Sequence, residues 1–182
     1  MPFLNTPIKG LKIFEPQVWK DDRGYFYEAF NQQRFKEAGI AVPFVQDNQA
    51  RSTRGVLRGL HYQVGEHAQA KLVRVIEGEV LDMVVDIRPD SATYGQWFSI
   101  RLSAENKRQL FVPRGFAHGY LVLSPTAEFF YKCDNFYSKE HEGGIIFDDP
   151  KLAIDWEIDQ EELILSEKDK VLPRFGAHRE VW

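Results

Sequence analysis

Four side chains, far apart along the chain, together supply a base, a cation, an acid and a carboxylate: His61, Lys71, Tyr131 and Asp169. His61 lies mid-strand in Arg58-Gly-Leu-His-Tyr-Gln63, flanked by an arginine and a glutamine. A histidine can exchange a proton near neutral pH. A lysine in a half-buried strand, as Lys71 would be, must keep its ammonium hydrated, paired or matched to an anion, because an isolated buried charge is too costly. Tyr131, in Phe-Phe-Tyr-Lys-Cys, carries a phenol that needs a hydrogen-bond partner if buried and can deliver a proton in a polar cavity. Asp169, in Ser-Glu-Lys-Asp-Lys, matters if the C-terminal segment folds back to His61, where a carboxylate would orient the imidazole and stabilise its protonated form. Taken singly, each has a commoner structural use: a hydrogen-bonded strand histidine, a water-facing lysine, a packed tyrosine, a solvated turn aspartate.

The elements that must bring them together read as strands. Short β-rich runs occupy Gly24–Phe30, Leu57–Gln63, Lys71–Ile76, Val80–Ile87, Trp97–Leu102, Gln109–Val112, Gly119–Leu123 and Ala127–Lys132. Their spacing, with Gly, Pro, Asp and Ser between, predicts a mainly β fold, an antiparallel jelly-roll or cupin barrel with a few short peripheral helices. The gaps are too short for the crossovers that parallel pairs require. One helix is expected from Gln32 to Ala38, capped by Asn31 and closed by Gly39. A second is expected near Gln160–Leu165, with Asp159 as its cap. Residues two apart in a strand share a face, so His61 lies with Gln63, Lys71 with Val73 and Val75, Tyr131 with Phe129, and Gln46 with Asn48. If those faces line the lumen of a closed β structure, their polar groups meet in one cavity.

Composition bounds the partners. The 182 residues fit a single domain, 1–182, and a chain with 43% hydrophobic and 27% charged residues has the balance of an ordinary globular protein. A net charge of −4 without a long basic run argues against nucleic acid as a partner. The aromatic share of 14% favours strands and offers rings to stack on a planar ligand. The lone Cys133 excludes an internal disulfide, reads as a buried filler and suits a reducing cytoplasm. The stretch Val80–Ile87 is interrupted by Asp82 and Asp86, so no membrane span or leader is expected and the cytoplasm is the expected location.

Pro113-Arg-Gly-Phe-Ala-His118 resembles the second signature of the cupin superfamily. The first signature would place two histidines one residue apart around a metal, but the position after next to His61 is Gln63, so neither a catalytic metal nor another cofactor is expected. No Gly-rich nucleotide loop and no nucleophile-elbow serine is present. Further ordered segments run nearly end to end: Asp22-Arg-Gly-Tyr-Phe-Tyr-Glu28, Gln46-Asp-Asn-Gln-Ala-Arg-Ser52, Leu57-Arg-Gly-Leu-His-Tyr-Gln63, Lys71-Leu-Val-Arg74, Asp86-Ile-Arg-Pro-Asp-Ser91 and Leu165-Ser-Glu-Lys-Asp169. On these the chain resembles the dTDP-4-dehydrorhamnose 3,5-epimerase family, cupin-fold isomerases of dTDP-L-rhamnose synthesis.

The resemblance implies that His61 is the base, oriented by Asp169, that Tyr131 is the acid on the opposite sugar face, and that Lys71 lies near the keto oxygen. It implies substrate contacts at Arg23, Glu28, Gln46, Asn48, Arg58, His118, Glu142 and Lys168, with Phe26 and Tyr137 stacking on or bordering thymine. Gln63, on the His61 face, joins the expected binding residues. The implied substrate is a dTDP-4-keto-6-deoxy sugar and the implied assembly a homodimer. A related isomerase acting at C3 or C5 alone, or a 3,4-ketoisomerase, would share the scaffold, and a non-catalytic sugar-binding jelly roll would leave the base, acid and cation unused. Two expectations conflict with strict alternation, which puts Arg58 opposite His61, and Arg23 opposite Phe26 and Glu28. His67, in the loop Gly65-Glu-His-Ala-Gln-Ala70, reads as solvent-facing.

Overall fold

Alternating side chains divide each central strand between two environments, and two antiparallel sheets result. The computed structural model describes residues 2–182. One sheet runs, edge to edge, through β1 (Phe3–Asn5), β2 (Lys12–Phe14), β10 (Gln109–Val112), β7 (Lys71–Glu77), β12 (Thr126–Cys133) and β5 (Gln46–Thr53). The other runs through β13 (Glu142–Gly144), β6 (Leu57–Gln63), β11 (Phe116–Val122), β8 (Glu79–Asp86) and β9 (Trp97–Ser103). A separate hairpin joins β3 (Trp19–Asp21) to β4 (Gly24–Phe26). The fold is mainly β and antiparallel, as the strand spacing predicts.

Between the sheets, Val73 and Val75 of β7 and Ala127 and Phe129 of β12 pack against Val80 and Val84 of β8 and Phe116, Tyr120 and Val122 of β11. The outer face of the five-stranded sheet is also covered. Leu81, Met83 and Val85, the alternate residues of β8, pack with Leu152, Trp156 and Val181 of the C-terminal segment. That explains why β8 is buried along almost its whole length: both of its faces meet apolar partners. Outside the six-stranded sheet, helix α1 (Gln32–Glu37) seats Phe35 against Phe14, Leu72 and Phe111. Burying a side chain such as Phe35 contributes about 1.5–3 kcal/mol. Asn31 accepts from the Gln33 and Arg34 amides, and Gly39, at φ +83°, turns the chain out of the helix.

Several elements differ from expectation: the short strands β1, β2, β3 and β13 were not among the expected runs, and three further differences bear on the site. Strand β4 ends at Phe26 rather than Phe30. Gln160–Leu165 forms only a 3₁₀ turn, Gln160–Glu162, and Asp159 makes no side-chain cap. The chain leaves that turn because Ile164 bridges to Val56, with the Leu57 amide donating to the Ile164 carbonyl. Strand β5 was not among the expected runs: its inward face, Gln46, Asn48, Ala50 and Ser52, carries no apolar alternation.

Candidate active site

At one end of the sandwich the inward faces turn polar, and a cavity of about 500 Å³ opens between the sheets. The five-stranded sheet contributes Arg58 and His61 from β6 and His118 and Tyr120 from β11. The facing sheet contributes Lys71 from β7, Phe129 and Tyr131 from β12, and Ala50 from β5. The C-terminal segment closes the cavity with Ile164 to Ser166, Lys168 and Asp169.

His61 and Asp169, 108 residues apart, meet at 2.6 Å between Nε2 and Oδ1. With Nε2–H given to the carboxylate, Nδ1 carries the lone pair. Burial alone would raise the Asp169 carboxyl. The hydrogen bond and charge of His61, the Ser166 hydroxyl and the Gly59 amide outweigh it and hold the carboxyl below the ordinary range. Tyr131 stands on the opposite sheet. Burial, with smaller contributions from nearby Cys133 and Tyr120, pushes its phenol up to about 12, so it remains a protonated donor at neutral pH.

Lys71 lies two strand positions from Tyr131 by pairing, with Cys133 opposite Lys71 and Tyr131 opposite Val73. Its Nζ sits 5.7 Å from the centre of the Tyr131 ring. Desolvation lowers the ammonium pKa, against the pull of Cys133, Asp82 and Glu142. A desolvated cation facing an open cavity favours an anionic ligand or a carbonyl gaining negative charge. His118 Nε2 lies 3.0 Å from both oxygens of Asp82, a wholly buried carboxyl that desolvation pushes up against the stabilising pull of that histidine.

The alternation conflict at Arg58 has a structural answer. Pairing of β6 with β11 sets His118 opposite His61 but Tyr120 opposite Arg58, so β6 spends three steps where β11 spends two. This bulge turns Arg58 to the same side as His61. Its Nε and Nη2 each donate to Ser52 Oγ at 3.2 Å. Arg23 is not bound by alternation at all, since it sits in the turn between β3 and β4 and pairs with Asp21.

The remaining expected residues divide into three groups. Of Gln46, Asn48, Tyr137, Glu142 and Lys168, Lys168 lines the cavity and the other four lie outside its lining: Gln46 Oε1 accepts from the Tyr137 amide at 3.1 Å, Gln46 Nε2 donates to Asn48 Oδ1 at 3.1 Å, and Lys168 Nζ donates to Glu142 Oε2 at 2.6 Å. Arg23, Phe26 and Glu28 do not line this cavity. Arg23 and Phe26 belong to the exposed hairpin, and Glu28 receives Arg34 at 3.2 Å and the Asn31 amide at 3.1 Å. Gln63 is a correction to the expected binding set. It is buried, its Nε2 donates to the His67 and Phe136 carbonyls, and its Oε1 accepts from the Ser138 amide, so its amide ties loops together and faces no ligand. His67, expected in solvent, is half-buried, with its Nδ1 enclosed.

Sequence reasoning missed Tyr120, Asp82, Ser52 and Ser166 as parts of this site. Asp82 carried a usable signal, since a carboxylate on an otherwise apolar strand must find a partner. Tyr120 stacks on Phe129 at 4.0 Å, and nothing local distinguishes it from core.

The family model for dTDP-4-dehydrorhamnose 3,5-epimerase matches residues 5–177. A dTDP-4-dehydrorhamnose 3,5-epimerase from Pseudomonas aeruginosa is 58% identical over 164 residues, covering 90% of both chains. The crystal structure of one from Elizabethkingia anophelis superposes with a TM-score of 0.93 at 55% identity, covering 96% of each chain. A dTDP-6-deoxy-D-glucose-3,5-epimerase from Legionella pneumophila, in complex with dTDP-4-keto-L-rhamnose, gives 0.88 at 50% identity, covering 95% of this chain and 97% of that one.

Proposed function

Since the chain belongs to the dTDP-4-dehydrorhamnose 3,5-epimerase family, we propose that it is an isomerase inverting C3 and C5 of dTDP-4-dehydro-6-deoxy-D-glucose to give dTDP-4-dehydro-L-rhamnose. One observation carries the reading: an imidazole backed by a carboxylate and a protonated phenol enter a single cavity from facing sheets. Inversion needs a base and an acid on opposite faces of the ring, and a same-face isomerase does not.

The C4 ketone acidifies the hydrogens on C3 and C5, because either carbanion delocalises into an enolate. His61 takes the proton from carbon at Nδ1, and Asp169 stabilises the imidazolium that forms. Lys71 stabilises the charge that grows on the ketone oxygen, a type of assistance that is often the largest in catalysis. Tyr131 returns a proton from the other face, and the carbon inverts. Arg58 and Lys168 hold the diphosphate, for which the planar arginine fork suits two oxygens at once. Gln46, Asn48, Tyr137 and Glu142, outside the cavity lining, border the nucleotide, whose binding energy keeps the sugar in register.

Residues 1–182 act as one catalytic domain in this proposal. Arg23 and Phe26 do not reach the cavity of their own chain, and their hairpin exposes Trp19, Tyr25 and Phe26. We assign that hairpin to the interface of a homodimer, where it supplies Arg23 and Phe26 to the neighbouring protomer's rim. The cytoplasm is the compartment we assign, where a free thiol such as Cys133 stays reduced.

Incubation with the 4-keto sugar nucleotide in D₂O, followed by NMR, tests the reaction. Deuterium at both C3 and C5 with inversion is expected, and absence of label at either carbon would refute double epimerisation. Tyr131→Phe should lose about 10²–10⁴-fold of the inversion rate while still binding dTDP.

A further inference from the structure

Away from the cavity, the ends of the β6–β13 pair carry two short turns, Gly65–His67 and Lys139–His141, which lean against each other. Glu142 pairs with Gln63, and the Val64 amide donates to the His141 carbonyl at 2.9 Å, so the two turns leave the sheet side by side. Their imidazoles stack, His67 on His141, with ring centres 4.1 Å apart and planes 35° from parallel. Glu66 joins them, and one ligand atom from each of the three residues lies within 4.8 Å of the others. His67 Nδ1 is enclosed and has no hydrogen-bond partner. A buried polar atom without a partner calls for a specific reason, and an unmodified protein interior seldom leaves one so.

We propose that Glu66, His67 and His141 form a binding site for a divalent transition metal of the zinc class, structural in role and separate from the epimerisation cavity. Two imidazole nitrogens with one carboxylate oxygen make a donor set suited to zinc and its neighbours, whereas magnesium and calcium select oxygen. Water completes the coordination. The Ser138 hydroxyl lies 2.8 Å from His141 Nδ1 and orients that ring, which leaves Nε2 for a metal, the arrangement by which an outer partner sets a ligand's tautomer.

The backbone beneath the cluster is already fastened. Gln63 Nε2 donates to the His67 carbonyl at 2.8 Å while its Oε1 accepts from the Ser138 amide at 2.6 Å, so one buried amide binds both turns. Asn135 Nδ2 donates to the Glu66 carbonyl at 2.7 Å, and Arg179 Nη1 to the Glu140 carbonyl at 2.7 Å. Ligand atoms around four-coordinate zinc, with bonds of about 2.0–2.1 Å, lie roughly 3.4 Å apart. Rotation of the three side chains over a fixed backbone closes the difference, unstacking the rings onto the ion. None of the three residues lines the cavity, so the ion would clamp two loops and take no part in the enolate chemistry.

Titration of the full-length chain with Co²⁺ tests this, read by the visible d–d absorption of the bound ion. One equivalent should bind, with affinity reduced at least about tenfold in His67→Ala and in His141→Ala and unchanged in His178→Ala. Histidine NMR of the unaltered chain with Zn²⁺ gives a readout free of any folding defect in the variants: the His67 and His141 imidazole signals should move together. No stoichiometric binding up to millimolar metal, or signals that move only at His61 or His118, would overturn the site.

Discussion

In the proposed mechanism the chemistry is concentrated in one hydrogen bond, the 2.6 Å contact of His61 with Asp169. Asp169→Asn keeps the shape of the side chain but lets its amide donate to the imidazole, which moves the lone pair to the wrong nitrogen. A loss of about 10²–10⁴-fold in kcat is expected, with KM changed far less. The same substitution alters acid stability. A carboxyl held below its ordinary range binds its proton less tightly in the folded chain than in the unfolded one. Its stabilisation is therefore complete above about pH 4, the unfolded range, and disappears as pH falls through the depressed folded value. Asp169→Asn should be weaker than the wild type by about 1–3 kcal/mol at pH 7, and urea unfolding should show that gap closing between pH 5 and 2, because other depressed carboxyls such as Asp86 contribute equally to both proteins. At this scale the sequence was readable where period-two alternation applied: Lys71 follows Val73 inward and Tyr131 follows Phe129. Gln63 and His67 were misread because their surroundings come from residues 135–141, a contact that no local pattern announces.

Strand β6 shows what period-two reading cannot see. Its extra residue turns Arg58 and His61 to one side, and the crossing with β11 is made glycine against glycine. A Cβ on Gly59, at φ +131°, would stand 2.6 Å from Gly119 Cα and 2.9 Å from the His118 carbonyl oxygen, and both neighbours are backbone. Gly59→Ala therefore has no cheap relaxation and combines a clash with an unfavourable dihedral. A destabilisation of about 2–4 kcal/mol by denaturant titration is expected, together with losses in both nucleotide affinity and kcat, because the residues proposed to bind phosphate and to transfer protons, Arg58 and His61, flank the same glycine. Retention of either property at wild-type level would refute their coupling through the bulge. Strand β5 was missing from the expected runs for a related reason, although Gln46 and Asn48 read as sharing one face. Its inward face borders the cavity rather than the core, so Gln46, Asn48 and Ser52 replace the apolar residues by which a strand is normally recognised. The 160–165 segment looked helical from its cap and acidic first turn, but the Val56–Ile164 bridge overrides that local preference.

Across the whole molecule, the β3–β4 hairpin is the part that a lone chain leaves unexplained. Trp19, Tyr25 and Phe26 are more than half exposed, at 53%, 57% and 71%, on a ribbon too small to be stable by itself. The dimer assigned above gives them cover. Light scattering should return twice the mass of the chain, and Phe26→Glu should shift the population toward the monomer with a rise in KM for the nucleotide sugar. A monomeric wild type at micromolar concentration would remove the hairpin from the active site. The architecture itself was legible from strand spacing and turn residues, since antiparallel order needs only short connections. What joins distant ends of the chain was not, because no period reports it. Asp169 comes from the closing segment, long after the strands that build the cavity. One wall of the cavity, the Lys168 cation and the carboxylate partner of His61 therefore leave the ribosome together, after every strand that lines the site. Displacement of that segment removes all three at once, so a rate assay also gauges whether it has docked.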